Sequence, residues 1–264
     1  MKEKGLYARR RKLVALLLLG LALPLGAQAP SRLEPPPPSH VFPEGQTYVY
    51  EVEWRLWRAG TATLRMEKAI ASDGDELRVT GAADSAGFVA LLYRVRDRFE
   101  SYFDRRTFCA TRVVRHIEEG FRRRDTAIRF DAARRKALLE ETNLRTGERK
   151  RLERDVPECV AGVLSGLYYV AALPLETGAT YSFPLNDGGE TVEVNVRVET
   201  REEVKTPAGM FHTVRVQPSA ARGVLKERGK VWIWYTDDAQ RIPVQMRARM
   251  FWGTLTLRLV RVER

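Results

Sequence analysis

Apolar and polar residues alternate along most of the chain from Gln46 onward. The first alternating segment would place five large side chains on one face of a strand, namely Tyr48, Tyr50, Val52, Trp54 and Leu56. The run from Val192 to Val198 repeats this period of two. Because successive side chains of a strand point to opposite faces, the pattern predicts half-buried β-strands.

Short turn signals separate these alternating segments. They are rich in glycine, aspartate, asparagine or proline: Arg58-Ala59-Gly60, Ser72-Asp73-Gly74-Asp75, Asn186-Asp187-Gly188-Gly189 and Thr206-Pro207-Ala208-Gly209. Connections of this kind join neighbouring antiparallel strands. We therefore expect a meander of paired strands over residues 46 to 262.

Two segments change to a helical period. Between Ser85 and Val95, apolar residues recur at i, i+3, i+4 and i+7, beginning at Phe88, and Asp84 or Ser85 could cap the helix. This spacing predicts one short amphipathic helix.

The second helix is predicted from Cys159 to Ala172. Asp155 could cap it, Pro157 suits a first turn, and no charged residue occurs between Glu158 and Glu176. A helix without a charged face must be buried on nearly all sides. We expect it to lie in the hollow of a curved sheet.

Residues 1–29 have the three parts of a secretory signal peptide. A basic start is followed by an apolar run from Leu13 to Leu25 and by Ala27-Gln28-Ala29. The apolar run is shorter than the roughly 20 residues that span a bilayer. We expect cleavage after Ala29 or Ala27 and a periplasmic or otherwise exported protein, with an uncut anchor as the alternative.

A proline-rich stretch, residues 30–43, follows the signal peptide. Four consecutive prolines, Pro35 to Pro38, favour an extended conformation. The pattern predicts a poorly packed tether, followed by a single β-rich domain over residues 44–264. The 44% hydrophobic content is enough for one sizeable core.

The net charge of +11 belongs largely to the signal peptide, because residues 1–29 contain six basic groups and one acidic group. The mature chain would carry about +6 by that count. The remaining basic clusters, Arg122-Arg123-Arg124 and Arg134-Arg135-Lys136, suit solvated strand ends. Attraction to anionic lipid or polysaccharide is the alternative. Because we expect the protein to be exported, nucleic acid is excluded as a partner. A peripheral contact with a membrane stays a candidate.

The two cysteines, Cys109 and Cys159, suit an oxidising compartment, where a pair can form a disulfide. Two buried thiols that pack as small hydrophobic groups are the alternative.

Candidate catalytic groups are few. Ser165 lies in Gly162-Val163-Leu164-Ser165-Gly166, whose spacing differs from the Gly-x-Ser-x-Gly elbow of hydrolases, so it suits packing. His212 lies in phase with Val214 and Val216, which predicts a partly buried structural histidine. No spacing resembles a metal site or a phosphate loop, and no cofactor is indicated. The sequence predicts a protein without enzymatic activity.

Several motifs together resemble one bacterial family of exported proteins. They are Val163-Leu164-Ser165-Gly166-Leu167-Tyr168-Tyr169 with Leu173-Pro174-Leu175 and Gly178, Thr206-Pro207-Ala208-Gly209-Met210-Phe211, Trp234-Tyr235-Thr236-Asp237-Asp238 through Arg241-Ile242-Pro243-Val244, and Phe251-Trp252-Gly253-Thr254-Leu255. Over about residues 42 to 262 they are similar to the domain of unknown function DUF3108. The resemblance implies an exported β-rich protein and brings no activity, cofactor or catalytic residue.

Long strands and an apolar helix predict a strongly curved antiparallel sheet, a half-barrel similar to the lipoprotein-carrier fold, that encloses the helix. A two-sheet β-sandwich is the alternative.

Three functional hypotheses follow. An envelope protein could bind an apolar ligand, such as an acyl chain, or an envelope partner in its concave sheet. Candidate ligand-binding residues are the aromatics Tyr168, Tyr169, Trp232 and Trp234, which equally suit a core. The alternatives are a hydrolase of envelope polymers, and a structural or assembly protein that uses its sheet edge or tether.

Overall fold

The computed structural model describes residues 32–55, 57–69, 75–188, 190–223, 226, 229–251 and 253–264. The predicted signal peptide lies outside the described residues. In the described part, no helix is both long and apolar enough to span a membrane.

The segments with a period of two form strands, as predicted. The strands are β1 (Thr47–Trp54), β2 (Trp57–Lys68), β3 (Glu76–Ser85), β4 (Arg96–Asp104), β5 (Ala110–Glu119), β6 (Arg122–Asp131), β7 (Lys136–Asn143), β8 (Arg149–Asp155), β9 (Ala161–Gly162), β10 (Thr180–Asn186), β11 (Thr191–Thr206), β12 (Gly209–Ala220), β13 (Lys230–Thr236), β14 (Pro243–Met250) and β15 (Gly253–Glu263). The helices α1 (Gly87–Leu92) and α2 (Val163–Ala172) interrupt the meander.

The described strands form one sheet in the order β8-β7-β6-β5-β4-β3-β2-β1-β15-β14-β13-β12-β11-β10-β9. Sequence neighbours pair antiparallel, β1 pairs with β15, and the two-residue β9 adds a parallel contact to β10. The sheet curves without closing, because its edges are β8 and β9. The predicted half-barrel is confirmed, and the two-sheet sandwich is wrong, since there is a single sheet.

The concave face is filled at one end by large side chains. Four buried tyrosines, Tyr48, Tyr50, Tyr168 and Tyr235, meet there. The Tyr50 hydroxyl donates to the Pro243 carbonyl at 2.9 Å, and the Tyr235 hydroxyl donates to the Leu167 carbonyl at 2.8 Å. Burial raises the pKa of each tyrosine above its usual value.

Helix α2 lies in the hollow as predicted but begins later than predicted. Asp155 belongs to β8, where its carboxylate binds Lys136 Nζ at 2.7 Å. The chain then stays extended through Val160, whose carbonyl accepts from the Ala110 amide. Ser165 Oγ accepts from the Gly162 amide at 2.9 Å and thereby caps the helix that starts at Val163.

Helix α1 is shorter than the predicted segment, and none of its residues is buried. The predicted cap is also wrong, because Ala86 is the N-cap and provides no side-chain bond. Ser85 Oγ instead accepts from the Val95 amide at 2.9 Å, which closes the loop between β3 and β4. The apolar side of this helix faces solvent rather than the core.

Residues 32–43 of the predicted tether pack against the domain. Leu33 and Phe42 are buried members of the main core, and the Glu34 amide donates to the Tyr169 hydroxyl at 3.3 Å. The proline-rich conformation therefore covers one end of the hollow, which a poorly packed tether would not do.

Cys109 and Cys159 form a disulfide, with Cα atoms 4.9 Å apart. Cys109 lies just before β5, and Cys159 lies just before β9 and α2. The bond fastens the segment that leads into the enclosed helix to the concave side of the sheet.

Candidate functional site

An apolar cavity of about 330 Å³ lies between α2 and the concave face of the sheet. It is partly open to solvent. Several of its strand residues lie toward one end of the sheet, such as Ala83 close to the end of β3 and Val231 close to the start of β13, and others, such as Leu257, lie in the middle of their strands. Tyr50 lines this cavity as well, whereas Tyr48 and Tyr235 of the tyrosine-filled part of the core lie toward the other end of the sheet.

Small residues on β2 and β3 leave the space for this cavity. Ala62 is paired with Ala83, and Leu64 is paired with Gly81. A Cβ atom on Gly81 would lie 3.3 Å from Leu164 Cδ1 of α2, so a larger side chain there would meet the helix. The inward face of this strand pair therefore carries little side-chain volume where it lies opposite α2.

Helix α2 contributes the opposing wall of the cavity. Its lining residues are Val163, Leu164, Gly166, Leu167 and Val170. Val163 is 52% exposed, whereas Tyr168 and Tyr169 on the other side of the helix are buried. The helix thus divides its surface between a packed side and a cavity side.

The wall is nearly wholly apolar, and Asp187 is the one charged side chain of its described lining. Asp187 is buried in the turn between β10 and β11. Arg115 of β5 reaches this turn and donates from its guanidinium to the carbonyl of Asp187 at 2.9 Å and, at 3.4 Å, to that of Gly188. Burial lowers the pKa of Arg115, and the negative charges of Asp187 and Glu141 oppose that shift. Arg115 therefore holds the turn that carries Asp187 and is not itself among the described lining residues.

The four aromatics predicted as ligand-binding residues do not lie among the described residues of the cavity wall. Tyr168 and Tyr169 belong to the packed side of α2, and the Tyr169 ring contacts Phe108 and Phe183.

Trp232 and Trp234 point to the convex face, because Val231 and Ile233, which alternate with them, line the cavity. Trp234 Nε1 donates to Glu202 at 2.7 Å. The alternation in β13 already indicated this orientation, whereas the small residues Ala62, Gly81 and Ala83 carried no recognisable signal.

The remaining candidate groups do not assemble a catalytic site in the described part of the chain. Ser165 Oγ is fully buried and bonded within its own turn of helix. His212 was predicted to be partly buried, but its side chain is 85% exposed and lies 3.4 Å from Glu203, its exposed partner in the β11–β12 register. In the residues described, no group of three or more His, Cys, Asp or Glu side chains could hold a metal ion.

Comparison with known proteins identifies a family and a fold. A family model described as "Protein of unknown function (DUF3108)" matches residues 49–260. No curated protein matches the chain.

One solved structure supports the architecture. It is a β-barrel-like protein of the domain of unknown function DUF1849 from Brucella abortus, with a TM-score of 0.57 and 10% identity, over 88% of this chain and 98% of that one. At this identity the likeness concerns the fold alone.

Two further structures are more distant. One, from Bacteroides fragilis NCTC 9343, is described as an exported protein with a YmcC-like fold (TM-score 0.38, 11% identity, 89% of this chain and 100% of that one). The other, from Parabacteroides distasonis ATCC 8503, is described as a lipoprotein (TM-score 0.37, 10% identity, 89% and 100%).

Proposed function

The chain belongs to the DUF3108 family of proteins of unknown function, and we propose that it is a non-enzymatic binding protein of the cell envelope that holds an acyl chain in its half-barrel. The observation that carries the proposal is the cavity of about 330 Å³ with nearly wholly apolar walls. Small-molecule sites are typically concave, mostly apolar and about 300 to 1,000 Å³ in volume.

The apolar residues of the cavity wall indicate which class of ligand the cavity could bind. Val163 and Leu164 of α2 and Ile233 of β13 face the cavity and offer no hydrogen bond to a sugar, nucleotide or peptide. Apolar surface gains about 25 cal/mol per Å² when it is removed from water, so an apolar ligand would be stabilised along the whole wall.

The distribution of apolar and charged residues in the lining further restricts the kind of ligand. Apolar groups form nearly the whole lining of the cavity, and Asp187 is its one charged residue. This arrangement suits a molecule with a long apolar part and one polar end. The export predicted from residues 1–29 would place the protein where lipids and acylated proteins are available.

Filling the cavity tests the proposal. In Ala83→Phe, the added ring would enter the cavity beside Ala62. Thr80→Phe is the matched control, because Thr80 points to the other face of β3, between Arg65 and Glu100. Binding of a fluorescent acyl-chain probe is measured by titration, with protein isolated from the envelope fraction without detergent.

We expect the wild-type protein and Thr80→Phe to bind the probe with similar Kd. We expect Ala83→Phe to bind at least tenfold more weakly while keeping its circular dichroism spectrum. Equal binding by Ala83→Phe and the wild type would show that the cavity is not the site, and no binding by the wild type would end the proposal.

A further inference from the structure

We propose that one end of the half-barrel docks on an anionic membrane surface through exposed aromatic and aliphatic side chains surrounded by arginines. The docking surface is called the rim and is the part of this end formed by five neighbouring strand connections and the strand residues beside them: residues 55 and 57–58, 86–95, 120–123, 144–149 and 249–251. The β10–β11 and β12–β13 connections at the same end are not part of it. The rim is independent of the cavity and stands on separate observations.

The strand order places these connections together. In an antiparallel meander, alternate connections lie at the same end of the sheet. The five connections follow the sheet order from β14–β15 through β1–β2, β3–β4 and β5–β6 to β7–β8. Backbone hydrogen bonds join each to the next: Arg55 amide to Thr254 carbonyl, Ala86 to Ala59, Gly120 to Arg94, and Leu144 to Arg123.

Large apolar side chains are exposed on the rim. They are Trp57, Phe88, Leu91, Leu92, Tyr93, Phe121, Leu144 and Phe251. The most exposed is Phe251, at 99%. The other exposed large apolar residues in the described chain are Val41, Val163, Met210 and Val262, none of which is aromatic. Every exposed Phe, Trp, Tyr and Leu in that set therefore lies at one end of the molecule.

Helix α1 explains how several of these side chains are held outward. It carries Phe88, Leu91 and Leu92, and none of its residues is buried. Soluble proteins rarely expose contiguous apolar patches unless they form an interaction site. Aromatic side chains with adjacent aliphatic ones are typical of surfaces that enter the boundary between lipid headgroups and acyl chains.

The charge of the rim indicates the kind of partner. Its described residues include eight arginines and one acidic residue, Glu148, and the adjoining end of β5 adds Glu118 and Glu119, which pair with Arg123 and Arg122, so the rim stays strongly positive. The arginines are all exposed: Arg55, Arg58, Arg94, Arg122, Arg123, Arg145, Arg149 and Arg249. Basic side chains around an apolar patch are attracted to the negative surface of a membrane that contains anionic lipid. This complementarity favours a bilayer over a second copy of the chain, whose rim would carry the same positive charge.

The rim and the cavity lie in the same half of the sheet. Ala83 lines the cavity close to the end of β3, which leads into the rim at residue 86, and Met246 lines it from the middle of β14. Docking would bring the cavity close to acyl chains, so it would also explain how the proposed ligand is loaded.

Vesicle flotation tests the docking surface. The protein isolated from the envelope fraction is mixed with vesicles of phosphatidylcholine alone, or of phosphatidylcholine with phosphatidylglycerol. The rim variant is Leu91→Asp with Phe251→Asp, and both positions are exposed enough to leave folding intact. The matched control is Val41→Asp with Met210→Asp, two exposed apolar residues outside the rim.

We expect the wild type and the control to float with vesicles that contain phosphatidylglycerol, and flotation to fall as salt rises. We expect at least a tenfold loss of the floating fraction for the rim variant. Wild-type protein that stays with the soluble fraction, or a rim variant that floats like the control, would overturn the proposal.

Two further readouts separate the alternatives. If light scattering shows a wild-type dimer that the rim variant makes monomeric, the rim binds a second copy and the membrane proposal is wrong. Acyl-probe titration separates docking from ligand binding, because we expect the rim variant to keep its Kd. Flotation by Ala83→Phe, which has a filled cavity, would support docking even if the acyl-chain proposal failed.

Discussion

Removal of the disulfide should weaken the fold strongly. Cys109 and Cys159 are separated by 50 positions in sequence. In the chain-entropy model, cross-linking a loop of this length restricts the unfolded chain by about 4 kcal/mol. Typical domains are stable by only about 5 to 15 kcal/mol, so this bond would supply a large share of the total.

The variant is Cys109→Ser with Cys159→Ser, unfolded in urea without reductant. With a urea slope of about 2 to 3 kcal/mol per M for a chain of this size, a loss of about 4 kcal/mol lowers the midpoint by about 1 to 2 M. Amide exchange should also be faster at the start of α2, because the bond fastens the segment that leads into Val163.

Reductant provides the control. Dithiothreitol should lower the wild-type midpoint to that of the double variant and leave the variant unchanged. A double variant within about 1 kcal/mol of the wild type would refute the reasoning, because restriction of the unfolded chain would then contribute little.

Two more predictions concern stability. Leu33→Ala should cost about 2 to 5 kcal/mol in the free energy of unfolding, because Leu33 is a buried core residue, and urea unfolding would show no change if residues 32–43 were a free tether. The second prediction concerns His116, whose Nδ1 lies 2.5 Å from Asp125 and whose Nε2 lies 3.3 Å from Glu118. The hydrogen bond to Asp125 is the main reason that the pKa of His116 is raised above the usual value of about 6.5. Because the pKa of His116 is higher in the folded state than in the unfolded state, protonated His116 contributes to the free energy of unfolding. This contribution is fully present below the unfolded-state pKa and is lost as pH rises through the folded-state pKa. Solvent screening limits this contribution to about a few tenths of a kcal/mol. An NMR titration that gave the His116 imidazole a pKa at or below 6.5 would contradict the prediction.

The period of two predicted the sheet because each strand buries one face, but the orientation of α1 was not predictable in the same way. The spacing of Phe88, Leu91 and Leu92 indicates a helix with an apolar side, and it contains no information on what that side contacts. The sequence therefore predicted a short amphipathic helix here without indicating whether its apolar side is buried. The structure leaves that side exposed to solvent.

The cavity could not be predicted from the sequence, for a different reason. Large aromatics such as Tyr168 and Trp234 are conspicuous in a sequence, but both are buried, and Trp234 donates a hydrogen bond to Glu202. The cavity results from missing volume at Ala62, Gly81 and Ala83, which belong to two strands. Their effect depends on the register of β2 with β3 and on the position of α2, and both are properties of the assembled sheet.

The distribution of packing along the half-barrel explains how a stable fold can retain an open cavity. At the end away from the rim, Phe42, Phe103, Phe108 and Tyr169 pack together, and residues 32–43 cover them. Near the rim, small residues face α2 and the hollow stays partly open. Since buried apolar area supplies most of the folding free energy, the filled end can stabilise the strands that both ends share. Loss of Leu33 should therefore lower stability with little effect on acyl binding, whereas filling the hollow at Ala83 should reduce binding with little loss of stability.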